Sequence, residues 1–183
     1  MNDTFNIEYI DKFCNVQELE ISDISKIIKQ MISIKNDLNH KSKKRNKPYD
    51  IIDKIILNKF SENNKEKIKK YHLDSFDIVE DALSCLAGIE ASIINDLFDY
   101  YWEIYTSILI KLNININDDE SIKENVDSIY LALNEKIYEQ IFAGKKSDIE
   151  INKRITYINA ISAYVFYQCK ILIPIESTDS KSQ

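Results

Sequence analysis

Hydrophobic residues recur every three or four positions along most of the chain, which is the spacing of one face of an α-helix. The first predicted helix covers residues 22–39, begins with Ser22 as its N-cap and has this apolar stripe: Ile24, Ile27, Ile28, Met31, Ile32 and Leu38. Before it, Phe5, Ile7 and Tyr9 alternate with polar residues, which predicts a short extended N-terminal segment or an irregular arm.

The middle of the chain predicts two further helices and a long helical tract. Pro48 fits the first turn of a helix, and the apolar stripe that follows it consists of Ile51, Ile52, Ile55, Ile56 and Phe60. Ser61 is predicted to cap a short helix. Asp74 or Ser75 is predicted to begin the longest tract, which Gly88 either breaks or marks as a close helix crossing. The polar-flanked segment 113–119 is predicted to be a loop, with an extended segment as the alternative.

The last third of the chain predicts two more helices. Asp118 or Asp119 begins the first, and Gly144 ends it where a left-handed residue is favoured. The second covers about residues 148–170, and Pro174 ends it. The predicted fold is therefore an all-α bundle of five to six amphipathic helices with short loops. It divides into an N-terminal helix and basic loop (1–47), a bundle core (48–174) and a disordered polar tail (175–183).

Composition supports this class. A chain of 183 residues fits one domain, and two Gly and two Pro are too few for many tight turns of a β fold. Frequent Ile favours strands and is the main observation against an all-α fold.

The three cysteines are far apart and odd in number, which is typical of reduced thiols, and Cys85 and Cys169 are predicted to be buried. We expect no signal peptide, no membrane span and a cytoplasmic protein.

Charge is unevenly distributed around the net value of −6. Residues 41–70 hold eleven Lys and Arg against four Asp and Glu, whereas residues 71–135 hold two Lys against fourteen Asp and Glu. The cluster of Lys41, Lys43, Lys44, Arg45 and Lys47 could contact nucleic acid or an acidic partner. The favoured interpretation is a solvated segment, or one that packs against the acidic middle, because only Arg45 in this cluster offers a planar bidentate fork.

No motif predicts catalysis, a cofactor or a metal. The two histidines, His40 and His72, lie in no metal-binding frame, and glycines at 88 and 144 alone exclude a Gly-rich phosphate loop. The carboxylates of Asp96, Asp99 and Glu103 share a helix face, which allows acid–base work but is more typical of a solvated outer face. We therefore expect a non-enzymatic chain without cofactors.

The string from Asp99 to Tyr105 is rich in aromatic residues. Tyr101 and Tyr105 belong to the predicted core stripe, whereas Tyr100 and Trp102 are predicted to point elsewhere. Trp and Tyr are enriched at protein interfaces, so Tyr100 and Trp102 are candidate partner anchors, although a core or half-buried position is the favoured interpretation.

Two segments resemble a known family. They are the stretch with Lys54, Ile55, Asn58 and Phe60, and the stretch with Phe166, Cys169, Lys170 and Pro174. They are similar to the opening and closing motifs in the C-terminal domains of effectors of bacterial ABC-three component systems, over about residues 48–174. The resemblance implies an antiviral defence context, in which the domain couples an effector to an ABC-type ATPase and a middle component. Such effectors carry a further module in front, for which residues 1–47 are too short, so we expect an adaptor, a remnant or a fragment.

The sequence thus predicts a non-enzymatic protein-interaction module. The alternatives are a nucleic-acid-binding helical protein that uses segment 41–70, and an unrecognised toxin or enzyme.

Overall fold

The computed structural model describes residues 23–37, 51–143, 151–168 and 170–175, and the structural statements below concern those residues. They form seven helices and no strand, which confirms the predicted all-α class, with a helix count slightly above the predicted five to six. The predicted N-terminal extended segment, Ser22, Gly144 and the polar tail from residue 176 lie outside the described residues.

The helices form a bundle around one core. They are α1 (residues 23–36), α2 (Ile51–Leu57), α3 (Glu62–Ala87), α4 (Ile93–Lys111), α5 (Asp119–Glu124), α6 (Val126–Ala143) and α7 (Ile151–Tyr167). The most extensive contact joins α3 and α7; α7 also packs on α6, α6 on α4, and α4 on α3. These four contacts close a ring, so α3, α7, α6 and α4 form a four-helix bundle to which α2 adds along α3.

The first helix belongs to the same core as the rest. Ile24, Ile27, Ile28 and Met31 of α1 are at most 2% exposed and join the cluster that α3, α4, α6 and α7 form. The core therefore extends across the boundary predicted between residues 47 and 48.

Two burial predictions are wrong: Ile56 of α2 is 61% exposed, and the Cys85 thiol of α3 is on the surface. Cys169 lies outside the described residues.

α3 is one uninterrupted helix, so the predicted start of a new helix at Asp74 or Ser75 is wrong. Ile68, His72 and Phe76 are all buried at four-residue spacing, which continues one stripe through that region. Asp74 is exposed on the opposite side of α3. Its residue type is common at helix N-caps, but here it lies on the solvated face of a continuous helix. α3 ends at Gly88, so of the two predictions for this residue the break is the one observed. Among the described residues, a Cβ at Gly88 would meet only the carbonyl oxygens of Cys85 and Ser84 in the preceding turn.

Several helix ends differ from their predictions. Ser61 precedes α3, but its side chain makes no capping hydrogen bond. The Asp127 carboxylate instead accepts from the Ser61 N–H at 3.2 and 3.3 Å and from the Asn64 amide at 2.7 Å.

Asp118 does cap α5, since its carboxylate accepts from the Ser121 N–H at 3.2 Å. The hydrogen bond from the Ser121 hydroxyl and, to a smaller extent, the one from its N–H lower the pKa of Asp118. The predicted single helix then divides at Asn125 into α5 and α6.

The chain leaves α7 earlier than predicted. The helix ends at Tyr167, and Pro174 comes seven positions later, so proline does not stop it. Residues 170–173 bend instead, and Leu172 adopts a left-handed conformation with φ of 61°. Ile171, Leu172 and Ile173 are each at most 7% exposed. This short segment after α7 therefore returns into the core instead of leaving it.

Candidate partner-binding face of α4

α4 carries apolar residues on two faces. Its inner face is buried in the core through Ile93, Leu97, Tyr101, Ile104, Tyr105, Ile108 and Leu109. On its outer side, Trp102, Thr106 and Ile110 follow one another at four-residue spacing, and Trp102 is 43% and Ile110 78% exposed. A surface helix of a globular protein normally has one apolar face. Within the part of the chain that the structure describes, Trp102 and Ile110 of this outer row therefore remain outside the core.

An open cleft of about 540 Å³ borders this row at Trp102. Asn95, Phe98, Asp99 and Trp102 line it from α4, and Lys170 lines it from the segment after α7. The Lys170 Nζ lies 5.2 Å from the centroid of the Phe98 ring, within cation–π distance. The cleft thus combines two aromatic rings with an ammonium, a carboxylate and an amide, which is the mixture that binding sites use for shape and orientation.

Of the two predicted anchors, the structure exposes one. Tyr100 is 3% exposed, and its hydroxyl donates to the Gln140 side chain of α6. The prediction that it points away from the core is wrong, because the contact between α4 and α6 widens the buried side of α4. Trp102 remains on the surface, with its ring 5.8 Å from that of Tyr105.

The three carboxylates of α4 lie on its solvated side. Asp96, Asp99 and Glu103 are all exposed, while Leu97, Tyr101 and Tyr105 opposite them are buried. This arrangement agrees with the outer-face interpretation of the sequence. The carboxylates flank the outer row of α4 on the side away from Phe98, as the 100° rotation per residue requires.

One acidic cluster has the geometry to attract a cation. Carboxylate oxygens of Asp23, Glu90 and Asp96 lie within 4.8 Å of one another. Lys26 donates to Asp23 at 2.8 Å and to Glu90 at 3.0 Å, and these bonds raise the Lys26 pKa. An ammonium of the chain itself therefore already bridges two of the three carboxylates. This contact holds α1 to the turn between α3 and α4.

The two segments that carry the family resemblance meet in space. The Lys54 ammonium is buried, donates to the Phe166 carbonyl and lies 4.5 Å from the Phe166 ring centroid. The Phe60 ring packs on Phe166 at 5.5 Å. The Asn58 amide donates to the Ile173 carbonyl at 3.0 Å and accepts from the Ile173 N–H at 2.9 Å. Both motifs thus form one packing unit, and it fixes the segment that brings Lys170 to the cleft.

The predicted basic cluster of Lys41, Lys43, Lys44, Arg45 and Lys47 lies outside the described residues. The rest of segment 41–70 is partly neutralised within the chain. Lys59 pairs with Glu120 of α5 at 3.1 Å, and Lys65 pairs with Glu62 at 3.3 Å. The first pair joins the basic segment to the acidic middle, as one interpretation of the sequence expected.

His72 is the histidine that lies within the described residues, and it is buried in α3. His72 is 1% exposed and stacks near Phe76 at 4.9 Å and Tyr167 at 4.6 Å between ring centroids, so its surroundings are aromatic. His40 lies outside the described residues.

Sequence reasoning found Trp102 and Asp99 but not the rest of the cleft. Asn95, Phe98, Asp99 and Trp102 have the spacing of one helix side, which was the available signal. Phe98 is half-buried at the edge of the core stripe of α4. Lys170 gave no signal, because a contact between residues 98 and 170 depends on how α7 packs.

Among the helices of the described residues, none combines the length and apolar character needed to cross a membrane. Comparison with known proteins identifies no relative: no family model matches the chain, and neither a curated protein nor a solved structure does.

Proposed function

We propose that this chain is a non-enzymatic protein-interaction module that binds a protein partner through the outer face of α4. The observation that carries the proposal is Trp102, the single tryptophan of the chain, which is 43% exposed beside an open cleft. Large aromatic side chains dominate the binding energy of protein interfaces when they lie near the centre of the buried area. Ile110, eight residues further along the same side of α4, is 78% exposed and extends the same surface.

The biological setting is a further part of this proposal. The resemblance at Lys54–Phe60 and Phe166–Pro174 supports a coupling component of a bacterial ABC-three component system, with an ABC-type ATPase and a middle component as partners. The odd number of widely spaced cysteines supports action in the cytoplasm. A role in antiviral defence follows from the same resemblance.

Quantitative affinity purification from host cells tests the module. We expect the wild-type chain to recover a protein partner, and Trp102→Ala to recover at least about tenfold less, since an aromatic anchor contributes about 2 kcal/mol or more. Leu131→Ser on α6 is the matched control, because Leu131 is also 43% exposed, and it should recover the partner at the wild-type level.

Equal recovery by wild type and Trp102→Ala would refute the assignment of this face. A partner that is lost with Trp102→Ala but contains no ATPase or associated component would remove the ABC-three component setting while leaving the interaction module in place.

Nucleic-acid binding remains the second candidate through the predicted cluster at residues 41–47. Gel shifts at varied salt test it: a steep salt dependence that is lost when these Lys and Arg residues become Ala would favour nucleic acid over a protein partner.

A further inference from the structure

The outer face of α4 carries a charge pattern in addition to its apolar row. Asp99 and Glu103 project from its exposed side, with the Lys170 ammonium at the Phe98 edge, whereas Asp96 lies in the cluster that Lys26 bridges. Within the described residues, no ion pair engages Asp99 or Glu103. The surrounding residues 71–135 have twelve more acidic than basic side chains. A polyanion or an acidic protein would meet repulsion over this whole face.

The apolar row has the geometry of a helix contact. Trp102, Thr106 and Ile110 lie along one four-residue ridge, which spans about 12 Å at 1.5 Å per residue. Such ridges pack against the grooves of a second helix, and the small Thr106 between two large side chains leaves a depression for a partner side chain.

We propose that the outer face of α4 binds a basic amphipathic helix of a partner protein. Its apolar side chains cover Trp102 and Ile110, and its Lys or Arg side chains pair with Asp99 and Glu103. This inference rests on the proposed function and adds the chemistry of the partner. Charge complementarity selects a basic partner, and the ridge selects a helical one.

Trp102 itself reports the binding, because its fluorescence comes from the centre of the face and the chain has no other tryptophan. The probe is a synthetic helix of Leu and Lys in an amphipathic pattern, as long as α4. A Leu–Glu peptide with the same pattern and a Leu–Lys peptide with scrambled order are the comparison probes. We expect a saturable blue shift of the Trp102 emission with the first peptide, and at least about tenfold weaker binding with the other two.

Variants of the protein separate this face from general acidity. Asp99→Asn with Glu103→Gln should weaken binding of the Leu–Lys helix at least about tenfold, and Ile110→Ser should weaken it severalfold. The control is Asp74→Asn with Glu135→Gln, which removes the same charge from exposed sites on α3 and α6 and should leave binding unchanged.

Equal weakening by both charge-removing pairs would overturn the proposal, as would equal binding of the scrambled peptide. Self-association of the chain that Ile110→Ser abolishes would also overturn it, because the occupant would then be a second copy. If these tests fail while Trp102→Ala still abolishes recovery of a host partner, the interaction module stands and only the chemistry of its partner is wrong.

Discussion

Asn58 shows how one buried amide connects distant parts of the chain. Its side chain donates to the carbonyls of Lys54 and Ile173 and accepts from the Ile173 N–H, and the residue is fully buried. Burying a backbone N–H and C=O without partners costs more free energy than their hydrogen bonds contribute when they form. Ile173 can therefore remain in the core because Asn58 satisfies both of its polar groups.

Replacing Asn58 with Leu keeps the volume and removes this pairing. We expect a loss of about 2–4 kcal/mol in the free energy of unfolding, since two buried backbone groups of Ile173 lose their partner. Urea denaturation followed by circular dichroism measures it. The control is Asn134→Leu: Asn134 is 2% exposed and its amide donates to Tyr130 one turn back in the same helix, so the change should cost about 1 kcal/mol or less. Equal losses would show that the Asn58–Ile173 pairing adds no stability.

Lys59 ends α2 in a left-handed conformation, with φ of 58°. Its N–H bonds to the Ile56 carbonyl, and the N–H of Phe60 bonds to that of Ile55, which is the pattern of a Schellman motif with Lys59 at the position that favours glycine. Asn113 ends α4 in the same way, with φ of 55°.

Lys59→Gly should stabilise the protein by about 0.5–1 kcal/mol, because glycine adopts this conformation without the clash of a Cβ. The lost ion pair with Glu120 subtracts little, since both side chains are at least 60% exposed. Thermal unfolding measures the change. Asn113→Gly is the comparison and should gain less, as asparagine tolerates left-handed geometry; a lower melting temperature for Lys59→Gly would contradict the prediction.

Whole helices follow the continuity of their buried stripes more closely than their polar signals. The sequence offers a start signal at Asp74 and Ser75, yet α3 runs through it because Phe76 continues the stripe of Ile68 and His72. α4 illustrates the opposite case, where the inner stripe is complete and an additional apolar row remains outside.

Proline at position 74 distinguishes a continuous α3 from two helices. In the first turn of a new helix proline would be tolerated, whereas inside α3 it removes a hydrogen bond and clashes with the preceding turn. We expect Asp74→Pro to cost about 3 kcal/mol or more in urea denaturation. Asp74→Ala should change stability by less than about 1 kcal/mol, since Asp74 is exposed. A near-neutral proline variant would contradict a continuous helix.

The ring of α3, α7, α6 and α4 encloses several tyrosines away from water. Burial raises the pKa of Tyr101 far above its ordinary value, although a 2.9 Å hydrogen bond with Ser162 acts in the other direction. Burial also raises the pKa of Tyr105 and of Tyr138 to about 12, and that of Tyr130 further. The bundle therefore holds these phenols in their neutral form.

This burial predicts a loss of stability at high pH. Below pH 10 both folded and unfolded chains keep the phenol protons, so the contribution is fully present there. Above pH 10 the unfolded chain releases protons that the folded chain keeps, and each such tyrosine then costs up to about 1.4 kcal/mol per pH unit until its folded pKa is reached. Tyrosinate absorbance and circular dichroism should therefore show buried tyrosines ionising near pH 12, together with loss of helix.

The control is the same titration in denaturant. All tyrosines should then ionise at about their unperturbed pKa, near pH 10, as they do in model peptides. Complete ionisation near pH 10 with the helical signal intact would show that these tyrosines are not buried as the structure has them.

The sequence by itself determined the all-α class and the exposed position of Asp99, and it named Gly88 as a candidate break and Asp118 as one of two candidate caps. Each of these follows from local periodicity or from a hydrogen bond between near neighbours, so a short stretch of chain contains the whole cause.

Only the tertiary structure decided that Tyr100 is buried, that Lys170 reaches Phe98 and that Asn58 meets Ile173. Positions at the edge of a helical stripe are covered or left exposed by whichever helix packs beside them. Such contacts join residues far apart in the chain, and the spacing of hydrophobic residues within one helix contains no information about which neighbour it will meet.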